Sequence, residues 1–131
     1  MNKKSLLIVL SILLMAAALT DCVGKPAEAA PKAVEAYLQA LVEEDADRLA
    51  NLSCAEWEEQ ATLELDSFMG VSARLEGLSC QQTGTEGDTA QVVCQGDIVA
   101  TYNNEDRQIP LNSRTYEVVK EGGEWRVCGT R

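Results

Sequence analysis

Apolar side chains change their spacing at Gly70, and this change limits the possible folds more than any other feature of the chain. Before it, they recur every three to four residues. Val34, Tyr37, Leu38, Leu41 and Val42 would share one side of a helix over residues 31–43, with Pro31 suited to its first turn. Glu44-Asp45-Ala46-Asp47 interrupts the pattern, and Asp45 is placed to cap a second short helix that ends near Leu52. Ser53, with Glu56 three residues later, reads as the capping box of a third helix. There Trp57, Ala61, Leu65, Phe68 and Met69 form the apolar side, and Gly70 is a suitable stop. After Gly70 the period moves towards two. Residues 75–83 read as a strand with a bulge at Gly77, and Thr85-Glu86-Gly87-Asp88 as a hairpin turn. Residues 90–102 form a second strand, interrupted at Gly96-Asp97, and Asn103-Asn104-Glu105-Asp106 a second turn. A third strand covers 111–120 with Pro110 at its start, and Glu121-Gly122-Gly123 turns into a last strand over 124–128. Helices first and an antiparallel meander afterwards make an α+β fold, with N-terminal helices packed on a four-stranded sheet.

The first residues carry a different signal. Lys3 and Lys4 precede an apolar run over 6–19 whose only polar member is Ser11. Roughly 14 residues suit a secretory signal and fall short of the ~20 that a transmembrane helix needs. Leu19-Thr20-Asp21-Cys22 resembles the cleavage site of bacterial lipoproteins, with Asp21 where a small neutral residue is usual. This reading makes residues 1–21 a signal peptide, Cys22 the lipidated first residue, 22–30 a flexible tether and 31–131 the folded domain. The protein would then be extracytoplasmic and held to a bacterial membrane by lipid on Cys22. Ala16-Ala17-Ala18 offers an ordinary signal-peptidase site, and cleavage there would release a secreted protein.

Cysteine parity agrees with lipidation. Of Cys22, Cys54, Cys80, Cys94 and Cys128, lipid on the first leaves four thiols for two disulfides. In a simple meander, strands two apart are separated by about 10 Å, beyond the ~7 Å that bonded cysteines allow between Cα atoms. That leaves Cys80–Cys94 across the first hairpin and Cys54–Cys128 between the helices and the last strand. A hairpin centred on Gly87 sets Cys80 opposite Cys94. Cys128 alternates with Trp125 and Val127, so its bond requires a twist at the strand end. No Cys-x-x-Cys spacing occurs, and no metal site or cofactor is expected.

Charge and composition exclude several functions. The formal net charge is −10, and removing residues 1–21 makes it one unit more negative. Such a domain does not neutralise phosphates, which argues against nucleic acid as a partner. The chain has no histidine, so Ser-His and Cys-His catalytic sets are absent, as is the commonest metal ligand. The acidic group Glu43, Glu44, Asp45 and Asp47 lacks the spacing and glycine of an EF-hand.

Two segments carry a family resemblance. Tyr37-Leu38-x-Ala40-Leu41, followed by acidic residues 43–47 and then Leu49 and Leu52, resembles the opening of the NTF2-like (cystatin-like α+β) superfamily. So does the final hairpin, Gly123-Glu124-Trp125-Arg126-Val127. More closely, the chain resembles small bacterial lipoproteins of that group whose function is uncharacterised. The resemblance implies a curved sheet around the helices that leaves a cone-shaped pocket. Some relatives use that pocket for isomerase or dehydratase chemistry built on Asp, Tyr and often His. No position here matches a complete catalytic motif, so no catalytic residue is expected. Tyr37, Trp57, Asp97, Tyr102 and Tyr116 are the candidate pocket-lining residues. The expected function is a non-catalytic envelope lipoprotein that binds a small apolar ligand or a protein partner. One alternative is a small isomerase- or dehydratase-type enzyme in which Asp97 works with Tyr102 or Tyr116. Another is a structural subunit of an envelope complex.

Overall fold

Helix α1 (Pro26–Val42) begins five residues before Pro31. The computed structural model describes residues 26–131. Cys22 and the signal-like segment 1–21 therefore lie outside the described residues. Residues 26–30 are helical rather than loose tether, because Ala30 is fully buried one turn before Val34 and joins the same apolar stripe. Pro31 inside the helix costs one backbone hydrogen bond. Helix α2 (Ala46–Asn51) starts where expected, with the Asp45 carboxylate accepting from the Arg48 amide at 3.0 Å.

Helix α3 (Glu58–Asp66) starts later than the Ser53 capping box implies. Ser53 is instead fully buried, and its hydroxyl donates to the Leu49 carbonyl at 2.8 Å. Its neighbours join the sheet: the Val127 amide donates to Leu52, and the Cys54 amide donates to Val127. Residues 52–54 thus lie parallel to the last strand and cover part of its edge.

The sheet has five antiparallel strands rather than four: β1 (Ser72–Glu86), β2 (Thr89–Tyr102), β3 (Glu105–Pro110), β4 (Thr115–Glu121) and β5 (Glu124–Thr130). The order is β1-β2-β4-β5. β3 lies on the same side of β2 as β4, beyond its end. β2 is long enough to pair with β4 through residues 89–93 and with β3 through 97–102. The additional strand appears because the second turn is only Asn103-Asn104. Both residues take left-handed φ values, 51° and 63°, as a two-residue hairpin turn requires. A 3-10 turn, Leu111–Ser113, then shifts the chain from β3 to β4, so residues 111–113 are not strand.

Two bulges set the register between β1 and β2. The tight turn pairs Glu86 with Thr89, a register that would put Cys80 opposite Gln95. Thr83 is the extra residue that corrects it, and Cys80 falls opposite Cys94. The two are disulfide-bonded, with Cα atoms 4.0 Å apart. The second bulge places Gly77 and Leu78 against Gly96 and bends the sheet. Cys54 and Cys128 form the other disulfide, with Cα atoms 5.2 Å apart. Glu117 pairs with Gly129 and Val118 with Val127, which leaves Cys128 as the odd residue of a third bulge. That bulge aims Cys128 at the edge where residues 52–54 lie. The core fills the space between the helices and the inner face of the sheet, with Tyr37, Leu38, Val92, Cys94, Tyr116, Val118 and Val127 among its buried members.

Candidate functional site

The core does not fill one end of the inner face. A cavity of ≈140 Å³ remains there, walled by Leu38 and Leu41 of α1, Phe68, Ile98 of β2, Ile109 of β3, Leu111 of the 3-10 turn, and Tyr116 of β4. Its polar lining is Glu64, Ser67 and Arg114. An open cleft of ≈540 Å³ adjoins it across Ser67, Phe68 and Ile109, and also takes in Ala100, Tyr102, Glu105, Asp106 and Arg107. The β3 hairpin builds this end. Ile98 pairs with Ile109 and Ala100 with Arg107, so alternation puts all four on one face.

A chain of polar groups runs along the cavity wall. Trp57 Nε1 donates to the Tyr37 hydroxyl at 3.1 Å, and that hydroxyl donates to Glu64 Oε2 at 2.8 Å. Arg114 Nη1 donates to Glu64 Oε1 at 3.1 Å. Glu64 is 15% exposed and Arg114 51%, which puts the ion pair at the mouth with the carboxylate inward. Tyr116 meets Tyr37 edge to face, with ring centroids 6.5 Å apart. Burial raises the Tyr37 hydroxyl well above the ordinary tyrosine range, and the Glu64 charge beside it adds to the shift. Burial also pushes Tyr116 up to about 12, with the Arg114 charge pulling the other way. Both tyrosines are therefore neutral hydrogen-bonding groups at physiological pH.

The five candidate pocket residues separate. Tyr116 lines the cavity, and Tyr102, 65% exposed, lies in the outer cleft. Tyr37 is fully buried behind the wall, where it fixes Glu64, and Trp57 supports it from further back. Asp97 corrects the expectation: it lines neither the cavity nor the outer cleft. Ile98 takes the inner position, and alternation turns its neighbour to the other face. The carboxylate of the site is Glu64. It falls seven residues after Trp57 and four before Phe68, so a charge within an apolar helical stripe was its signal. Arg114 and Arg107 had no comparable signal, since the five-stranded topology brings them in.

Among the described residues, one grouping has metal-ligand spacing: Cys54, Cys128 and Glu121, with ligand atoms within 4.8 Å of one another. Both sulfurs belong to a disulfide, so the group offers one free ligand atom.

Helices leading into a bent antiparallel sheet, with a cavity held between them, decide the fold. The chain has the NTF2-like, cystatin-like fold. A solved NTF2-like protein with a cystatin-like fold from Novosphingobium aromaticivorans matches at TM-score 0.54 and 15% identity, covering 96% of this chain and 85% of that one. A proposed dehydratase from the NTF2-like family of Streptomyces avermitilis matches at TM-score 0.57 and 14% identity, covering 79% and 91%. An NTF2-like protein of unknown function from Pseudomonas putida matches at TM-score 0.51 and 14% identity, covering 76% and 79%. At these identities the likeness is one of fold. No protein-family model and no curated protein matches the sequence. The two disulfides of this NTF2-like domain fit an oxidising, extracytoplasmic compartment.

Proposed function

We propose that this NTF2-like domain is a lipid-anchored envelope protein that takes a small apolar group into its cone cavity without catalysis. One observation carries the reading. The cavity is apolar and adjoins an open cleft, and the carboxylate on its wall already accepts hydrogen bonds on both oxygens. A solvent-reachable apolar hollow with a few fixed polar groups is the usual form of a small-molecule site.

The sequence of the N-terminus supports the anchor. Three residues separate Cys22 from the start of α1. A lipid there would hold the first turn of α1 near the membrane. Leu38 and Leu41, at the cavity, lie about 20 Å further along the same helix at 1.5 Å per residue. The negative charge of the domain would keep its surface off anionic head groups.

Two measurements test this reading. Intact mass of membrane-extracted protein should begin at Cys22 with a diacyl or triacyl increment and should gain about four hydrogens on reduction, two per disulfide. A mass beginning at Leu19 would refute the anchor. Ser67 is exposed where cavity and cleft meet. Ser67→Trp should therefore block uptake of a small hydrophobic fluorophore while the thermal midpoint moves by less than about 3 °C. Undiminished uptake would place binding elsewhere.

A second reading has one observation in its favour. Glu64 sits on the cavity wall between two tyrosines, a setting that could serve proton transfer. It is the weaker reading because Tyr37 and Arg114 engage the carboxylate that would have to act as base. Turnover of a hydroxy-carbonyl compound that disappears in Glu64→Gln would support it over binding alone.

A further inference from the structure

The chain contains six arginines, and five of them make ion pairs: Arg48, Arg74, Arg114, Arg126 and Arg131. Arg107 makes none among the described residues, although the protein carries ten more negative than positive charges. An unpaired guanidinium among so many carboxylates is a position where a carboxylate from outside could be received. Arg107 lines the outer cleft on the same face as Ile109, two residues along β3. Two residues of strand span about 6.6 Å. Ile109 is shared by cleft and cavity, so one straight molecule could reach from the hollow to the guanidinium. Two carboxylates also line the cleft. Asp106 is held by Arg74 at 3.1 Å, and Glu105 makes no ion pair with Arg107.

We infer that the ligand of this cavity is a medium-chain monocarboxylate, its hydrocarbon end in the hollow and its carboxylate on Arg107. The inference rests on the binding reading above and adds the chemical class. The size follows from the hollow. A dry cavity of about 150 Å³ accommodates a benzene ring, about six carbons. The cavity here is ≈140 Å³, so it takes five or six carbons. Two or three more carbons span the boundary that cavity and cleft share at Phe68 and Ile109. The total is close to eight, as in octanoate. The guanidinium holds a carboxylate through two parallel N–H···O bonds, which an alcohol cannot accept in the same way.

The test titrates the full chain, kept soluble in amphipol, with octanoate, octan-1-ol and octylamine in turn. The methyl carbon shifts of Ile98 and Ile109 report occupancy of the hollow, so partition into amphipol does not register. Octanoate should bind about tenfold more tightly than octanol. Arg107→Gln, an exposed substitution, should erase that preference while octanol binds as before. Equal binding of octanoate and octanol, or a preference that survives Arg107→Gln, would overturn the carboxylate inference and leave the cavity reading intact. Tighter binding of octylamine would overturn it in the same way. No methyl shift with any of the three compounds would overturn both readings.

Discussion

Tyr37 donates its hydroxyl hydrogen to Glu64 at 2.8 Å, joining α1 to α3 across 27 residues of sequence. The same oxygen accepts from Trp57 Nε1. One atom therefore satisfies an indole N–H and an inward carboxylate. Tyr37→Phe keeps the ring packing and removes both bonds. It should cost about 1–3 kcal/mol, because two polar groups lose a buried partner at once. Glu64→Gln leaves an acceptor for Tyr37 and loses mainly a half-exposed ion pair with Arg114, so it should cost about 1 kcal/mol or less. Urea denaturation midpoints of the two variants check the order. A Tyr37→Phe variant as stable as the parent would show that the network does not hold the helices together.

The raised tyrosines predict instability in alkali. An unfolded tyrosine loses its proton near pH 10. In the native state Tyr116 is pushed up to about 12 by burial, and Tyr37 is raised by burial and by Glu64. Between those limits the unfolded chain binds fewer protons than the native one, so unfolding becomes easier as pH rises. The stability is fully present below pH 10 and declines towards pH 12. Each tyrosine contributes a slope of about 1.4 kcal/mol per pH unit. Urea titrations at successive pH values should show the decline starting near pH 10, and Tyr116→Phe should reduce its slope by roughly half. A flat profile to pH 11 would contradict the burial of these hydroxyls.

The disulfides should differ in what they contribute. Cys54 and Cys128 are separated by 74 residues, Cys80 and Cys94 by 14. On loop-closure entropy alone the first bond is worth about 4 kcal/mol and the second about 3. Cys54→Ala with Cys128→Ala should therefore destabilise more than Cys80→Ala with Cys94→Ala, by about 1 kcal/mol or somewhat more. Removing the first pair also frees the 52–54 segment at the edge of β5. Thermal or urea unfolding of the two double variants makes the comparison. The opposite order would mean that the hairpin register depends on its disulfide.

Much of the fold was legible because its signals are local. The stripe from Val34 to Val42 marks α1, Asp45 caps α2, and Gly70 separates helical from alternating spacing. The features that escaped depend on pairing. β3 has no apolar alternation, since all six of its residues are exposed, and only its partnership with β2 makes it a strand. The Cys80–Cys94 register was expected from a turn centred on Gly87. The structure reaches it by a two-residue turn and a bulge at Thr83. The twist needed at Cys128 proved to be a bulge, with Cys54 at the sheet edge. Asp97 is a charge in an apolar strand, but Gly96 beside it is the residue that matters structurally. The true cavity carboxylate, Glu64, was hidden among the many acidic residues of the helices.

Gly96 is the position where a single methyl group should do the most damage to the site. Its φ is +99°, a conformation that side chains strongly disfavour. A Cβ there would also meet the carbonyl of Glu76 and lie 2.7 Å from the Gly77 carbonyl oxygen. All of these obstacles are backbone, so none can rotate aside. The bulge it occupies directs residues 97–102 towards β3, and β3 carries Ile109 and Arg107. Gly96→Ala should cost about 2–4 kcal/mol and should shift the methyl signals of Ile98 and Ile109 in whatever fraction still folds. Gly87→Ala provides the control. It has positive φ of +58° at a hairpin turn but open space around its Cβ, so it should cost about 1 kcal/mol and leave those methyl signals in place. Thermal midpoints and methyl spectra of the two variants separate backbone strain from loss of the bulge. If Gly96→Ala were as mild as Gly87→Ala, the bulge would not be what shapes the cavity end of the sheet.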